Sequence, residues 1–198
     1  MNSSDVIDSL IDLIVSSIGL ESLDNNTTIP PTIRYKMSCY VCWWSDECDH
    51  VSLVDCSIVI DAMINMTRCN EAGAVSTFLG TTRDTFEEKV VTHLSYEAYN
   101  DMAIECMKEI CKKIRQQWNV VKIVIQHKLG DCPVGDVSVL IAISSAHRIE
   151  SLQAVQFAID ELKRTVPIWK KEYYNDNGDG DACQWKKNNE FDIKTNNM

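Results

Sequence analysis

The sequence predicts an α+β domain, and three stretches carry that prediction. Residues 137–143 form an apolar run. After a short polar turn, Leu152, Val155, Ile159, Leu162 and Val166 recur at steps of three and four, one face of an amphipathic helix. Residues 90–98 and 120–128 alternate as strands do, with Leu94 and Tyr96, and then Ile123 and Ile125, on one parity. Between those strands, Ala103, Met107, Ile110, Ile114 and Trp118 make a second helical stripe. A chain of 198 residues, 45% of them hydrophobic, suits one domain of ordinary size plus appendages.

Residues 1–20 carry a helical stripe of Ile7, Leu10, Ile14 and Ile18, with Asp5 placed to cap it. Residues 21–35 are polar, contain Pro30-Pro31 and read as a linker. Cys39, Cys42, Cys48 and His50 then form a possible zinc set, since zinc takes four thiolate or imidazole ligands. The alternative is a poorly ordered extension with chance cysteines. Residues 1–55 are therefore expected to be a Cys-rich, partly disordered extension. Ile58, Ile60, Met63 and Ile64 mark a short helix within 57–71, and a glycine-bounded strand over 73–80 empties into Thr81-Thr82-Arg83-Asp84.

In the strand over 90–98, Val90, Thr92, Leu94, Tyr96 and Ala98 are expected on one side. Asn100 and Asp101 offer caps for the next helix, in which Cys106 and Cys111 are expected to fill the core. Gly130, Pro133 and Gly135 mark a tight connection, and residues 137–143 should form a central strand covered on both faces. Pro167 ends the last helix, because proline disfavours helical geometry at Val166 and donates no backbone hydrogen bond. The chain turns polar after Glu172, and 191–198 read as a disordered tail.

Net charge −10 with no basic stripe argues against nucleic acid as a partner. No apolar run is long enough for a membrane span. The first 33 residues contain no Lys or Arg, which argues against a secretory or mitochondrial leader, so the nine cysteines read as mostly reduced thiols of a cytosolic protein. Residues 144–172 are locally basic within this acidic chain. His147 and Arg148 sit where a strand becomes a helix, a place whose unpaired N–H groups favour an anion. Lys163 and Arg164 fall in the last turns, and Lys170 and Lys171 lie just past the proline. Lysines there also offset a helix dipole, and that is often all they do. Arg83, in a loop, is by itself more readily a solvated arginine than a ligand-binding one.

Three ordered blocks within 144–172 resemble the large, catalytic subunit family of molybdopterin synthase: Ser144-Ser145-Ala146-His147-Arg148, Asp160-Glu161-Leu162-Lys163, and Pro167-Ile168-Trp169-Lys170-Lys171-Glu172. Gly73-Ala74 to Phe78, Gly80-Thr81-Thr82-Arg83-Asp84, and Tyr96-Glu97-Ala98-Tyr99 with Met102-Ala103 extend the likeness over about 56–190. The resemblance implies an α/β hammerhead-type core with an added β subdomain. It implies conversion of cyclic pyranopterin monophosphate (precursor Z) to molybdopterin in molybdenum cofactor biosynthesis. The sulfur would come from the C-terminal thiocarboxylate of a small ubiquitin-like subunit. No cofactor or metal is implied for this step. The chain ends Lys194–Met198 rather than in Gly-Gly, so it is expected to be the receiving, catalytic partner.

By the same resemblance, Lys163 and Lys170 would carry the chemistry beside the incoming tail. Arg83, His147, Arg148, Lys171 and Glu172 would line the substrate pocket with them. The implied assembly is a heterotetramer with a central dimer of this chain. In the family a tail arginine of the neighbouring protomer completes the pocket. Residues 173–198 hold none, which leaves Lys186 or Lys187 for that part. Three other readings stand beside this one: an inactive paralogue, a zinc-dependent N-terminal module, and a sulfurtransferase acting through Cys39 or Cys42.

Overall fold

The structure is a computed structural model, and it describes residues 40–175 and 182–186. Ten strands and three helices follow in the order β1 (Tyr40–Ser45), β2 (Asp49–Val54), α1 (Ile60–Thr67), β3 (Ala74–Thr81), β4 (Thr85–Phe86), β5 (Lys89–Ala98), α2 (Asn100–Gln117), β6 (Val120–Lys128), β7 (Gly130–Pro133), β8 (Val137–Ser145), α3 (Arg148–Thr165), β9 (Ile168–Tyr174) and β10 (Ala182–Lys186). The main sheet has the order β1-β2-β6-β8-β3. Only β2 and β6 pair in parallel in it. The second sheet has the order β10-β9-β5-β4, with β7 also paired to β5, all antiparallel. A smaller sheet beside the main one is the added subdomain that the resemblance implies.

The apolar run before α3 becomes β8, whose nine residues are all buried. Its two faces explain why. Val139, Ile141 and Ile143 pack beneath α2 and α3, while Leu140 and Ala142 meet α1 on the other side. At about 1.5–3 kcal/mol for each fully buried aliphatic side chain, the first face provides most of the apolar driving force.

The helices depart from expectation in instructive ways. Tyr99, not Asn100 or Asp101, is the N-cap of α2, without a side-chain cap hydrogen bond; Asp101 instead lies in the first turn, where its charge suits the dipole. In α3, Leu152 is 55% exposed and Ser151 is buried in its place, because α3 turns its Ser151, Ala154 and Ala158 edge to the sheet. Small residues there let helix and sheet approach closely. In β5 the alternation slips at a bulge between Val91 and His93, so Val91 is buried and Val90 is exposed.

Residues 40–54, expected within a poorly ordered extension, form two strands of the main sheet. Every residue of β2 is buried. The hairpin is locked at its turn: Asp46 Oδ1 accepts from the N–H groups of Cys48 and Asp49 at 2.8 and 2.7 Å. Asp49 is held by the Arg115 guanidinium, whose Nε lies 2.9 Å from Oδ2 and which also donates to the carbonyls of Val120 and Val121. Asp49→Ala strands a partly buried arginine. It is expected to lower unfolding free energy by about 2 kcal/mol, below the figure for a fully buried pair because Arg115 remains about a third exposed. Urea unfolding measures this, and a loss under about 0.5 kcal/mol would show the hairpin is held by burial alone.

Two histidines are wholly buried. His50 bonds Ser52 Oγ through Nε2 at 3.0 Å, and His127 Nδ1 lies 2.7 Å from the Lys128 carbonyl with its ring edge-on to Tyr96. Burial pushes both down to about 4 from 6.5. The unfolded chain takes up these protons as the pH falls through 6.5, whereas the native state resists until about 4. Stability from these groups is therefore complete above pH 6.5 and is lost on acidification, by about 3 kcal/mol per histidine at pH 4. His127→Gln should flatten the decline measured by urea unfolding between pH 7 and 4.5. An unchanged slope would sink this assignment.

Candidate functional site

The β8–α3 turn is built by a close approach. A side chain at Gly73 would put its Cβ 2.4 Å from the Ala146 carbonyl oxygen, and the Gly73 N–H donates to Ser145 O at 3.1 Å. His147 is the N-cap of α3 and contributes no side-chain cap. Ser145 substitutes: its hydroxyl donates to His147 O at 2.6 Å and accepts from the Ser151 N–H at 3.1 Å. His147 and Arg148 are left exposed at this end.

Arg83 lies at the other end. β3 runs antiparallel to β8 from Ala74 opposite Ser145 to Thr81 opposite Val137, a span of about 25 Å. The loop after Thr81 is anchored by Thr82, which is buried. Its N–H donates to Asp136 O at 3.1 Å, its carbonyl accepts from Gly135 N at 2.9 Å, and its hydroxyl donates to Cys132 O at 3.3 Å. Arg83 stands exposed beyond it, 6.0 Å from the centre of the Phe86 ring. The β4–β5 hairpin turns through Glu87 and Glu88, both at positive φ.

α3 packs along β3 and β8 for about 27 Å, so its last turn, with exposed Lys163, reaches the Arg83 end. β9 begins there and pairs with β5, setting Lys170 opposite Tyr96 and Lys171 opposite Ser95. Strand alternation sends the two lysines to opposite faces. Lys170 Nζ lies 2.9 Å from Glu172 Oε1, and Glu172, nearly buried, accepts from the Tyr174 hydroxyl at 2.5 Å. Lys171 instead lies between the outer rings of Tyr173 and Trp185, 5.2 and 5.6 Å from their centres, and its neighbours Tyr173 and Cys183 raise its pKa.

Strand and helix directions thus put Arg83, Lys163, Lys170 and Glu172 toward one end of the fold. His147 and Arg148 are at the opposite end, and Lys171 faces away from Lys170. Glu172, expected as pocket lining, is engaged by its own strand. Tyr96 and Tyr174 are the neighbours that sequence reasoning missed. Tyr174 looked like the start of a polar tail, and only the strand register places its hydroxyl on Glu172.

The described members of the possible zinc set do not come together. Cys42 lies opposite Leu53 whereas His50 lies opposite Ser45, about 10 Å further along the hairpin, and the His50 ring is buried against Ser52. Among the described residues no group of three metal-ligating side chains occurs. Cys39 lies outside the described residues. Cys42 is also a poor nucleophile: burial and Asp101, whose carboxylate is 3.7 Å from its sulfur, raise its pKa. The eight described cysteines are all free thiols. Lys186 belongs to β10, and Lys187 lies outside the described residues. No described helix is long and apolar enough to cross a membrane.

Known proteins resemble this chain in sequence and in fold. The chain is 52% identical over 128 residues to the molybdopterin synthase catalytic subunit of Arabidopsis thaliana, covering 65% of this chain and 62% of that protein. Its match to the Drosophila persimilis protein of the same name spans only 39% of that relative's length. The chain therefore covers less than two thirds of these relatives. Its fold matches the molybdopterin synthase structure from Staphylococcus aureus with a TM-score of 0.63 and 32% identity, over 68% of this chain and 95% of that one. A complex of subunits 1 and 2 of the molybdopterin-converting factor from Helicobacter pylori shares the fold, with a TM-score of 0.53 and 21% identity over 62% of this chain and 83% of that one. The family model described as MoaE protein matches residues 53–165, more than half of the sequence, and the chain belongs to that family.

Proposed function

We propose that this chain is the catalytic subunit of a cytosolic molybdopterin synthase. It converts precursor Z to molybdopterin with sulfur from the C-terminal thiocarboxylate of a small ubiquitin-like subunit. The observation that carries this reading is the gathering of Arg83, Lys163 and the Lys170–Glu172 pair at one end of the fold, in a family whose named relatives are the catalytic subunits. Each transfer forms a carbon–sulfur bond at a substrate carbon, which gives up a carbon–oxygen bond, the oxygen staying on phosphate where the cyclic ester opens or leaving as water; the bond between sulfur and the donor's acyl carbon then breaks. The acyl group passes to water, directly or after transient capture by a lysine amine, and leaves as a carboxylate. Two donor tails are consumed for each dithiolene. Lys163 and Lys170 steady the thiocarboxylate and supply the proton or the amine, and Arg83 offers a planar fork to the cyclic phosphate.

His147 and Arg148 join this pocket from a second protomer. β3 is an edge strand of the main sheet. Val75 and Leu79 are exposed on it, and Ile149 and Leu152 are exposed on α3 beside it. Apolar side chains flanking an unpaired edge suit a second copy of this chain. Two-fold pairing of antiparallel β3 strands sets the start of one against the end of the other, and so places His147 and Arg148 of one protomer near Arg83 and Lys163 of its partner. The central dimer of a heterotetramer then has two composite pockets.

The test is single-turnover formation of molybdopterin from precursor Z and a thiocarboxylated small subunit. Product in stoichiometric yield supports the reading. A folded chain that binds the small subunit and makes none is an inactive paralogue.

A further inference from the structure

The buried hydroxyl of Tyr174 has no part in the reaction just described, yet it donates at 2.5 Å to Glu172, the carboxylate that Lys170 also contacts at 2.9 Å. We propose that Tyr174 is a positioning residue that acts on Lys170 through Glu172 and ties it to the hairpin bearing Arg83. This inference rests on the synthase reading for its kinetic consequence, not for its structural one.

Three observations support the link. Tyr174 is 4% exposed, and its ring packs with Val91, Leu94 and Cys132, so its hydroxyl is held in one direction. It stands where β9 meets the base of the hairpin: Tyr174 pairs with Val91, the Val91 N–H donates to Asp84 O at 2.8 Å, and the Asn175 N–H donates to Val90 O at 3.0 Å. Lys89, at the turn of the same hairpin, holds its ammonium 5.3 Å from the centre of the Tyr174 ring. A continuous path therefore runs from the Arg83 hairpin through Tyr174 and Glu172 to Lys170. Tyr96 of β5, opposite Lys170, and Cys132 of β7 also face this cluster.

A carboxylate that loses one of its donors is less firmly directed at the other. Tyr174→Phe keeps the ring and removes only the hydroxyl. It is expected to lower kcat about tenfold with KM for precursor Z changed less than about twofold, the size of one charge-assisted hydrogen bond. In the chain alone, acetylation of Lys170 by acetic anhydride, followed by peptide mass spectrometry, should proceed about threefold faster than in wild type as the ion pair loosens. Both effects should vanish when Tyr174→Phe is added to Glu172→Gln, because the path is already cut. Unchanged Lys170 labelling in a Tyr174→Phe chain of native melting temperature overturns the proposal. So does an equal effect with and without Glu172. The labelling needs no substrate, so it decides the point even where wild type makes no molybdopterin and the synthase reading fails.

Discussion

Chains carrying Arg83→Ala and chains carrying Arg148→Ala are each expected to form almost no molybdopterin alone, and together to regain about a quarter of wild-type activity. The two side chains are separated by the length of the β3–β8 ladder, about 25 Å, too far to hold one small phosphate. Within one protomer they cannot serve the same pocket. Across a β3-to-β3 two-fold they can, and each pocket then draws Arg83 from one chain and Arg148 from the other. In a mixed dimer both defects fall in one pocket and the second is whole. Random pairing makes about half the dimers mixed, each with one working site of two. Coexpression followed by single-turnover assay reads the result. A mixture no more active than the sum of its parts would show that each pocket is completed within one chain.

Lys163→Ala should cost far more than any other single lysine at this end, a fall of about 10²–10⁴-fold in the rate of product formation, the range for removing a group that moves a proton in the transition state. Binding of the small subunit, read by calorimetry, should change little, since one exposed lysine is a small part of a protein interface. Lys171→Ala is the matched comparison. It removes an adjacent lysine of β9 that faces the Tyr173 and Trp185 rings on the outer side, and activity should stay within about twofold. A Lys163→Ala chain as active as wild type would remove this residue from the chemistry. An equal loss in both variants would mean that positive charge, rather than a placed amine, is what the site requires.

These contrasts show which parts of the molecule could be read from residues. β8 was legible as an apolar run and β6 from its alternation, and the end of α3 was legible because Pro167 forbids continuation. β9 was not. A strand reading Ile-Trp-Lys-Lys-Glu-Tyr-Tyr buries a glutamate and exposes a tryptophan, which inverts the pattern that periodicity looks for. The hairpin of β1 and β2 was hidden by its own composition, since neither strand alternates and β2 buries Asp49, His50 and Ser52 with its apolar residues. The candidate site residues were named through the family resemblance, residue types and spacing alone leaving a capped helix as ready a reading. Their division between two ends was not visible, because that depends on strand direction, which no local signal reports.

The parallel pairing of β2 with β6 bears on how the chain reaches its native state. Val51 lies beside Ile125, and α1, β3, β4, β5 and α2 are all made between them. During synthesis the N-terminal hairpin waits, with its wholly buried strand uncovered, until β6 leaves the ribosome. Closing so long a loop carries an entropic cost that the local contacts of α2 and α3 do not. While β2 lacks β6 its free edge is open to aggregation; the Asp46 turn can form within the hairpin at once, whereas the Arg115–Asp49 clamp must wait for α2.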